Sequence, residues 1–302
     1  MAPVIPCPLR LGVIGASPGN GHPYSWSAIF NGYDPDAMAR CPYPAVPDYL
    51  SRQRFPEDAI GGAAVTTVWT QDRAISEDIA AASLIGAIAD SPDAMATEVD
   101  AVLLARDDAA SHMRHAAPAL EAGLPIYIDK PLALSVEAAE ALFAKEIVAG
   151  QIFSCSALAY APEFRLGADD RQRLGALRRI TATTPKAWDT YAMHLIDPVA
   201  GIAAGEGVLV SAIPHGDGGQ GIEARWESGL VARLTATGER PSPLRIVVEG
   251  ERGTLTMELE DTYRAFKAAL AEFVGIVRGE LPPRPRATLL GMVALLEAGR
   301  RG

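Results

Sequence analysis

Lys130 closes an apolar run, Ile126-Tyr127-Ile128-Asp129-Lys130-Pro131, and is one of only four lysines among 27 basic residues. A lysine at the carboxyl end of a buried strand points toward the crevice where ligands bind in open α/β sheets. Its ammonium can hydrogen-bond a reacting oxygen and steady the charge that develops there. Asp129 beside it can bond a cofactor or orient the loop. A second cluster runs from Trp188 to Asp197. There Tyr191 precedes His194 by three residues, on the same helix face, and Asp197 follows by three. Asp189 stands five before the histidine and falls off that face unless it caps the helix. An imidazole, which titrates near neutrality, suits proton transfer to or from a hydroxyl.

A third candidate is the stretch from Leu9 to Gly21, a strand-like run entering a Gly-rich turn before a helix. Glycines let the backbone approach a pyrophosphate, and a helix N-terminus offers N–H donors to it. In the GxGxxG register opened by Gly15, Ser17 and Asn20 take the second and third glycine positions, with Gly19 between them. After the second strand, Val68-Trp69-Thr70-Gln71-Asp72-Arg73 leaves two cofactors open. Asp72 could accept from a ribose 2′-hydroxyl, while Arg73 or the Thr70 hydroxyl could accommodate a 2′-phosphate. His112 and His115 share a helix face, but no third ligand accompanies them and zinc needs three or four, so no metal is expected.

The elements that must position these residues change character along the chain. In the first half, near-continuous apolar runs at Leu9–Gly15, Ala64–Trp69, Leu84–Ala89, Asp100–Ala105, Pro125–Ile128 and Ile152–Cys155 alternate with helical spacing, as at Ser111–Ala122 and Val136–Ala149. Strands buried on both faces imply a doubly wound parallel sheet. In the second half, strand-like runs at Ala176–Thr183, Val208–Ile213, Gly221–Trp226, Leu230–Ala236, Leu244–Glu249 and Thr254–Glu258 surround one helix, Ala187–Ala203. Two more helices close the chain at Tyr263–Arg278 and Ala287–Gly299. The fold class is α/β: an N-terminal Rossmann domain over 1–156, then an α+β domain over 157–302 with a largely antiparallel open sheet, its terminal helices able to pack back on the first. Between Asp34 and Gly62 lie five prolines and little periodicity. A connection this long is either functional or a surface or subunit contact.

Composition narrows the class. A chain of 302 residues with 49% hydrophobic and 21% charged residues is that of an ordinary globular protein of about two domains. A net charge of −10 argues against nucleic acid or an anionic lipid surface as partner. Cys7, Cys41 and Cys155 are too scattered for a zinc ribbon or a CxxC pair and read as free thiols. The first ten residues do not form a signal peptide, and the longest uncharged apolar run, Ile79 to Ala89, is too short to span a bilayer. A cytoplasmic protein is expected. One uncovered face of the second sheet would favour a homodimer or homotetramer.

The block from Asp100 through His112 and His115 to Asp129-Lys130-Pro131 resembles the glucose–fructose oxidoreductase / inositol dehydrogenase (Gfo/Idh/MocA) family, in which a strand–helix–strand unit ends in Glu-Lys-Pro. Here Asp129 replaces the usual Glu. The likeness extends to Val248–Leu255, similar to a hairpin of that family, and to the tail around Phe273–Gly279, Pro282-Pro283 and Leu295–Ala298. The resemblance implies NAD or NADP as cofactor, Lys130 beside nicotinamide and substrate, and His112 near the nicotinamide half. It also implies an Asp-x-x-x-His element in the second domain; Thr190 occupies the acid's position and Asp189 lies one residue earlier. The expected activity is hydride transfer between nicotinamide and a carbon of a sugar, cyclitol or nucleotide-sugar. Lys130 and His194 would be catalytic, with Asp197, Tyr191 or Asp189 in support. Two alternatives share the fold: a hydrolase or dehydratase that retains NAD through a redox cycle, and a non-catalytic cofactor-binding subunit.

Overall fold

A computed structural model describes residues 8–301, so Cys7 lies outside the described residues. The chain forms two compact units, and neither is contiguous. The first runs to Leu132 and adds Glu140–Ser154 and Lys267–Arg286; the second comprises Ala133–Ala139, Cys155–Phe266 and the chain from Ala287 onward.

The first unit begins with β1 (Leu9–Ile14), whose residues other than Arg10 are buried. It enters α1 (His22–Asn31), where Pro23 sits in the first turn, a position that needs no intrahelical N–H bond. The proline-rich stretch is not structureless. It holds α2 (Pro35–Met38), capped by Asp34 accepting from the Ala37 N–H at 2.8 Å, and α3 (Ala45–Leu50). Then come β2 (Ala63–Trp69), α4 (Arg73–Ala82), β3 (Ala87–Ile88), α5 (Pro92–Ala96), β4 (Ala101–Leu104), α6 (His112–Glu121), β5 (Ile126–Ile128), α7 (Val136–Phe143), whose first four residues fall in the second unit, and β6 (Ile152–Phe153). The strands lie in the order β3-β2-β1-β4-β5-β6, and every pairing is parallel. This is the doubly wound sheet expected from the sequence, with β3 cut to two residues and α7 ending at Phe143 rather than near Ala149. Leu11, Val13, Ala101, Leu103 and Leu104 are wholly buried, as strands covered on both faces require. Beside β5, Tyr127 stacks on Trp26 at 4.6 Å and meets Phe153 edge-on at 4.7 Å; Phe273, from the end of the chain, packs on both tyrosine and phenylalanine.

The second unit contains α8 (Ala168–Leu174), β7 (Leu177–Thr184), α9 (Trp188–Tyr191), α10 (Met193–Ile202), β8 (Leu209–His215), β9 (Gln220–Trp226), β10 (Val231–Ala236), β11 (Arg245–Gly250) and β12 (Thr254–Glu258). After them α11 (Thr262–Val277) crosses into the first unit, and α12 (Arg286–Arg300) belongs almost wholly to the second. The sheet order is β12-β11-β7-β10-β9-β8, antiparallel except for the parallel β7–β10 pair. The single helix read over Ala187–Ala203 is two, broken at Ala192. Trp188 anchors the first piece: it is 1% exposed and its indole N–H donates to the Leu296 carbonyl of α12 at 2.8 Å. At the sheet's edge, Val210 and Ile213 of β8 are exposed. No described helix is long and apolar enough to cross a membrane.

Candidate active site

The carboxyl end of β5 delivers Asp129 and Lys130 into a nearly dry corner, 1% and 5% exposed. Asp129 is pinned by its backbone N–H to the Leu104 carbonyl and accepts through Oδ1 from the Lys130 N–H at 2.8 Å. Its Oδ2 accepts from Asn20 Nδ2 at 2.9 Å and lies 2.5 Å from His22 Nδ1. Burial alone would push this carboxyl up. The charge and hydrogen bond of His22, then Lys130 and Asn20, outweigh it and hold the group down at about 2. Asp129 is therefore an anion that ties β5 to the turn after β1. The Lys130 ammonium lies 3.7 Å from Asp107 Oδ2. Asp107 in turn accepts from the Ser17 hydroxyl at 2.6 Å.

The turn after β1 is closely fitted. A Cβ on Gly15 would lie 2.6 Å from Pro23 Cγ, so the helix start can approach the strand end only because that position is glycine. Gly19, at φ +81°, has open space where its Cβ would be. Asn20 turns its side-chain oxygen back to the His22 N–H at 2.7 Å and its amide to Asp129. A cradle shaped by missing Cβ atoms, beside an open cleft of about 370 Å³ that Ala16, Ser17 and Gln71 help to line, fits a dinucleotide at the place where sheets of this winding hold one.

The residues after β2 are differently engaged. Asp72 caps α4, accepting from the Ala74 N–H at 2.9 Å. Thr70 shares its hydroxyl with the Asp72 carbonyl and with Ser76. Arg73 is exposed and reaches Glu77 and Asp90. Gln71 clamps the backbone of Ala16 through both ends of its amide, at 3.2 and 3.0 Å, and takes a further bond from Arg106. His112 is fully buried between two backbone carbonyls, Leu132 at 3.1 Å and Arg106 at 2.8 Å, which fixes its ring. His115 packs against Trp69 at 5.5 Å. Its burial, with Arg106 and Arg114 nearby, lowers it to about 4 and keeps it neutral. No group of three or more metal-ligating side chains occurs among the described residues.

The second unit builds its own cluster on α9 and α10. His194 Nδ1 meets Ser156 Oγ at 2.9 Å, and the Ser156 backbone N–H donates to Asp197 Oδ2 at 2.8 Å. Tyr191 stands edge-on to the His194 ring at 5.2 Å and accepts from the Lys186 ammonium at 2.5 Å. Lys186 adopts φ +64°, a conformation non-glycine residues rarely hold, and two backbone bonds to Gly238 keep it there. Asp189 turns elsewhere, to Arg300 Nε at 2.9 Å, while Thr190 bonds the Ala187 carbonyl.

Sequence reasoning missed Asp107, Gln71, Ser156 and Lys186. Asp107 follows β4 at the sheet's carboxyl end, a position that strand-end logic could have flagged. Lys186 carried the signal of its scarcity. Ser156 carried none, since its partners lie about forty residues away.

The family model described as "Oxidoreductase family, NAD-binding Rossmann fold" matches residues 45–156. No curated protein matches the sequence. Among solved structures, a myo-inositol dehydrogenase from Corynebacterium glutamicum is 16% identical, with TM-score 0.66 over 97% of this chain and 96% of that one. GenD2 from gentamicin A biosynthesis, in complex with NAD, is 16% identical with TM-score 0.69 over 98% and 94%. Biliverdin reductase from Synechocystis, in complex with biliverdin and NADP+, is 13% identical with TM-score 0.67 over 98% and 99%. At these identities the likeness is one of fold. The matched segment runs from before β2 to just beyond β6, so the part of this chain similar to an NAD-binding Rossmann fold of the oxidoreductases is the parallel sheet of the first unit that carries Asp129, Lys130 and Pro131.

Proposed function

We propose that this oxidoreductase transfers hydride between a nicotinamide cofactor and a hydroxyl-bearing carbon of a sugar, cyclitol or nucleotide-sugar. The observation that carries the reading is Lys130: a lysine only 5% exposed at the carboxyl end of an inner parallel strand, flanked by Asp107 and Asp129. When bound, the cofactor supplies the hydride acceptor or donor. Gly15, Ser17, Gly19 and Asn20 would border its pyrophosphate, and Asp129 keeps their turn in place through Asn20 and His22. Lys130 donates to the reacting oxygen and steadies the charge left when that oxygen loses its proton. His194 holds and returns the proton. Ser156 bonds its Nδ1, and Asp197 keeps Ser156 in place through the backbone N–H. Tyr191, with Lys186 on its hydroxyl, is a second proton-handling group in that cluster.

The test combines nicotinamide fluorescence on cofactor addition with turnover of a panel of inositols, aldoses and nucleotide-sugars. The wild type is expected to bind cofactor and oxidise a member of the panel. Lys130→Met should lower kcat by roughly 10²–10³-fold while cofactor still binds. Full turnover by that variant would overturn the assignment of Lys130.

A further inference from the structure

The proline-rich segment contributes one wall of the cleft beside the cofactor turn. The cleft, about 370 Å³, lies at the carboxyl ends of β1 and β2, with Ala16 and Gln71 on one side, Ile75 and Asp78 of α4 on another, and Arg40 and Tyr43 from the segment between α2 and α3. In sheets wound this way the adenosine of a dinucleotide lies beyond these two strand ends, and an acid after the second strand usually accepts from its 2′-hydroxyl. Here that acid caps a helix instead. Asp72 is engaged by Ala74, and Gln71, the residue of that stretch that reaches the cleft, has its amide committed to Ala16 and Arg106.

The charge facing the cleft comes from elsewhere. Arg40 bonds only the Asp36 carbonyl, at 3.0 Å, and has no carboxylate within ion-pair reach among the described residues. A guanidinium has five N–H donors, so most remain for a ligand, and its fork matches a phosphate. Tyr43 is held in place by α1: its ring lies 6.3 Å from Tyr24, edge-on, and a Cβ on Gly21 would come within 3.0 Å of it. Burial raises both phenols, which therefore stay neutral O–H donors that do not repel an anion. Asp78, an exposed carboxylate on the same cleft, can accept from a donor such as an exocyclic amine or ribose hydroxyl. Inorganic phosphate would satisfy Arg40 alone. A phosphorylated adenosine satisfies Arg40 and Asp78 together and offers a base to the Tyr43 ring and Ile75.

We infer that this cleft takes the adenosine 2′-phosphate of NADP, with Arg40 and Tyr43 as the residues that set cofactor specificity. The inference rests on the cofactor-binding reading above and adds to it a choice between two cofactors and a role for the proline-rich segment. Dissociation constants for NADPH and NADH, from nicotinamide fluorescence of the intact protein, test it together with calorimetric binding of adenosine 2′-phosphate. NADPH should bind at least tenfold more tightly than NADH. Arg40→Ala should weaken NADPH and adenosine 2′-phosphate by about 10–100-fold and leave NADH within about twofold, which also reports that the variant is folded. Arg40→Lys, which keeps the charge but loses the fork, should fall between. NADH binding as tightly as NADPH, or an equal loss of both in Arg40→Ala, would overturn the specificity assignment while leaving cofactor binding intact. If neither cofactor binds the wild type, the functional reading itself fails.

Discussion

Asp129 in the first unit and Asp197 in the second are equally hidden, each 1% exposed, yet they are held in different ways. Asp129 is surrounded by charge and side-chain donors: His22, Asn20 and the neighbouring Lys130. Asp197 receives a backbone N–H from Ser156, and through Ser156 it acts on His194. The first arrangement makes the ionisation of one carboxyl part of the fold, because a buried anion and its partners must be present together. The second makes a carboxylate the support for a loop, a task that an amide oxygen could also perform. A residue's burial is thus a poor guide to what its charge is for; the partners decide.

The strongest way to break this comparison is to neutralise each carboxyl in turn. Asp129→Asn leaves Lys130 without its adjacent anion and should cost about 3–5 kcal/mol, read as the shift in chemical denaturation midpoint. The same ionisation should appear in acid. Between about pH 4 and pH 2 the unfolded chain binds the proton and the folded one does not, so stability falls as pH drops through that window, by about 2 kcal/mol. The variant should lack that limb.

His115 offers a middle case. It is buried as a neutral ring and lowered to about 4, so from about pH 6.5 downward the unfolded chain takes up a proton that the folded chain refuses. Stability should decline by roughly 2 kcal/mol between pH 7 and pH 4.5, and His115→Gln should flatten that slope. A slope unchanged in the variant would assign the decline to other groups. The smallest effect is expected at Asp197→Asn, about 1 kcal/mol, because the amide oxygen can still accept from Ser156. If this variant loses as much stability as Asp129→Asn, the two corners are built alike and the contrast is wrong.

The sheets were legible where burial was two-sided or alternation strict. β1, β2, β4 and β5 read directly from their apolar runs, and all six strands of the second unit fall close to their expected places. α8 was missed because Ala168–Leu174 has a single large apolar residue and so shows no period. α2 and α3 were obscured by the prolines and the lack of period in their stretch, although Pro35 occupies the first turn of a helix, where proline is well placed. The site was legible as residue types and less so as partners. Lys130 and His194 stand out by kind and spacing. Asp72 did not reveal that its own helix would claim its carboxylate, since ribose binding and capping draw on the same short side chain after a strand. Asp107 and Ser17 meet across ninety residues of chain, a separation no local pattern encodes.

Phe273 carries a last consequence. Every strand of the parallel sheet has been synthesised by residue 153, yet the aromatic cluster beside β5 is completed only by a side chain about 120 residues later. On the ribosome, Tyr127 and Phe153 must therefore wait, facing water or a chaperone, until nearly the whole chain has emerged. A product truncated before α11 would present that apolar cluster to its neighbours, so quality control of this protein begins with whether translation reached its final tenth.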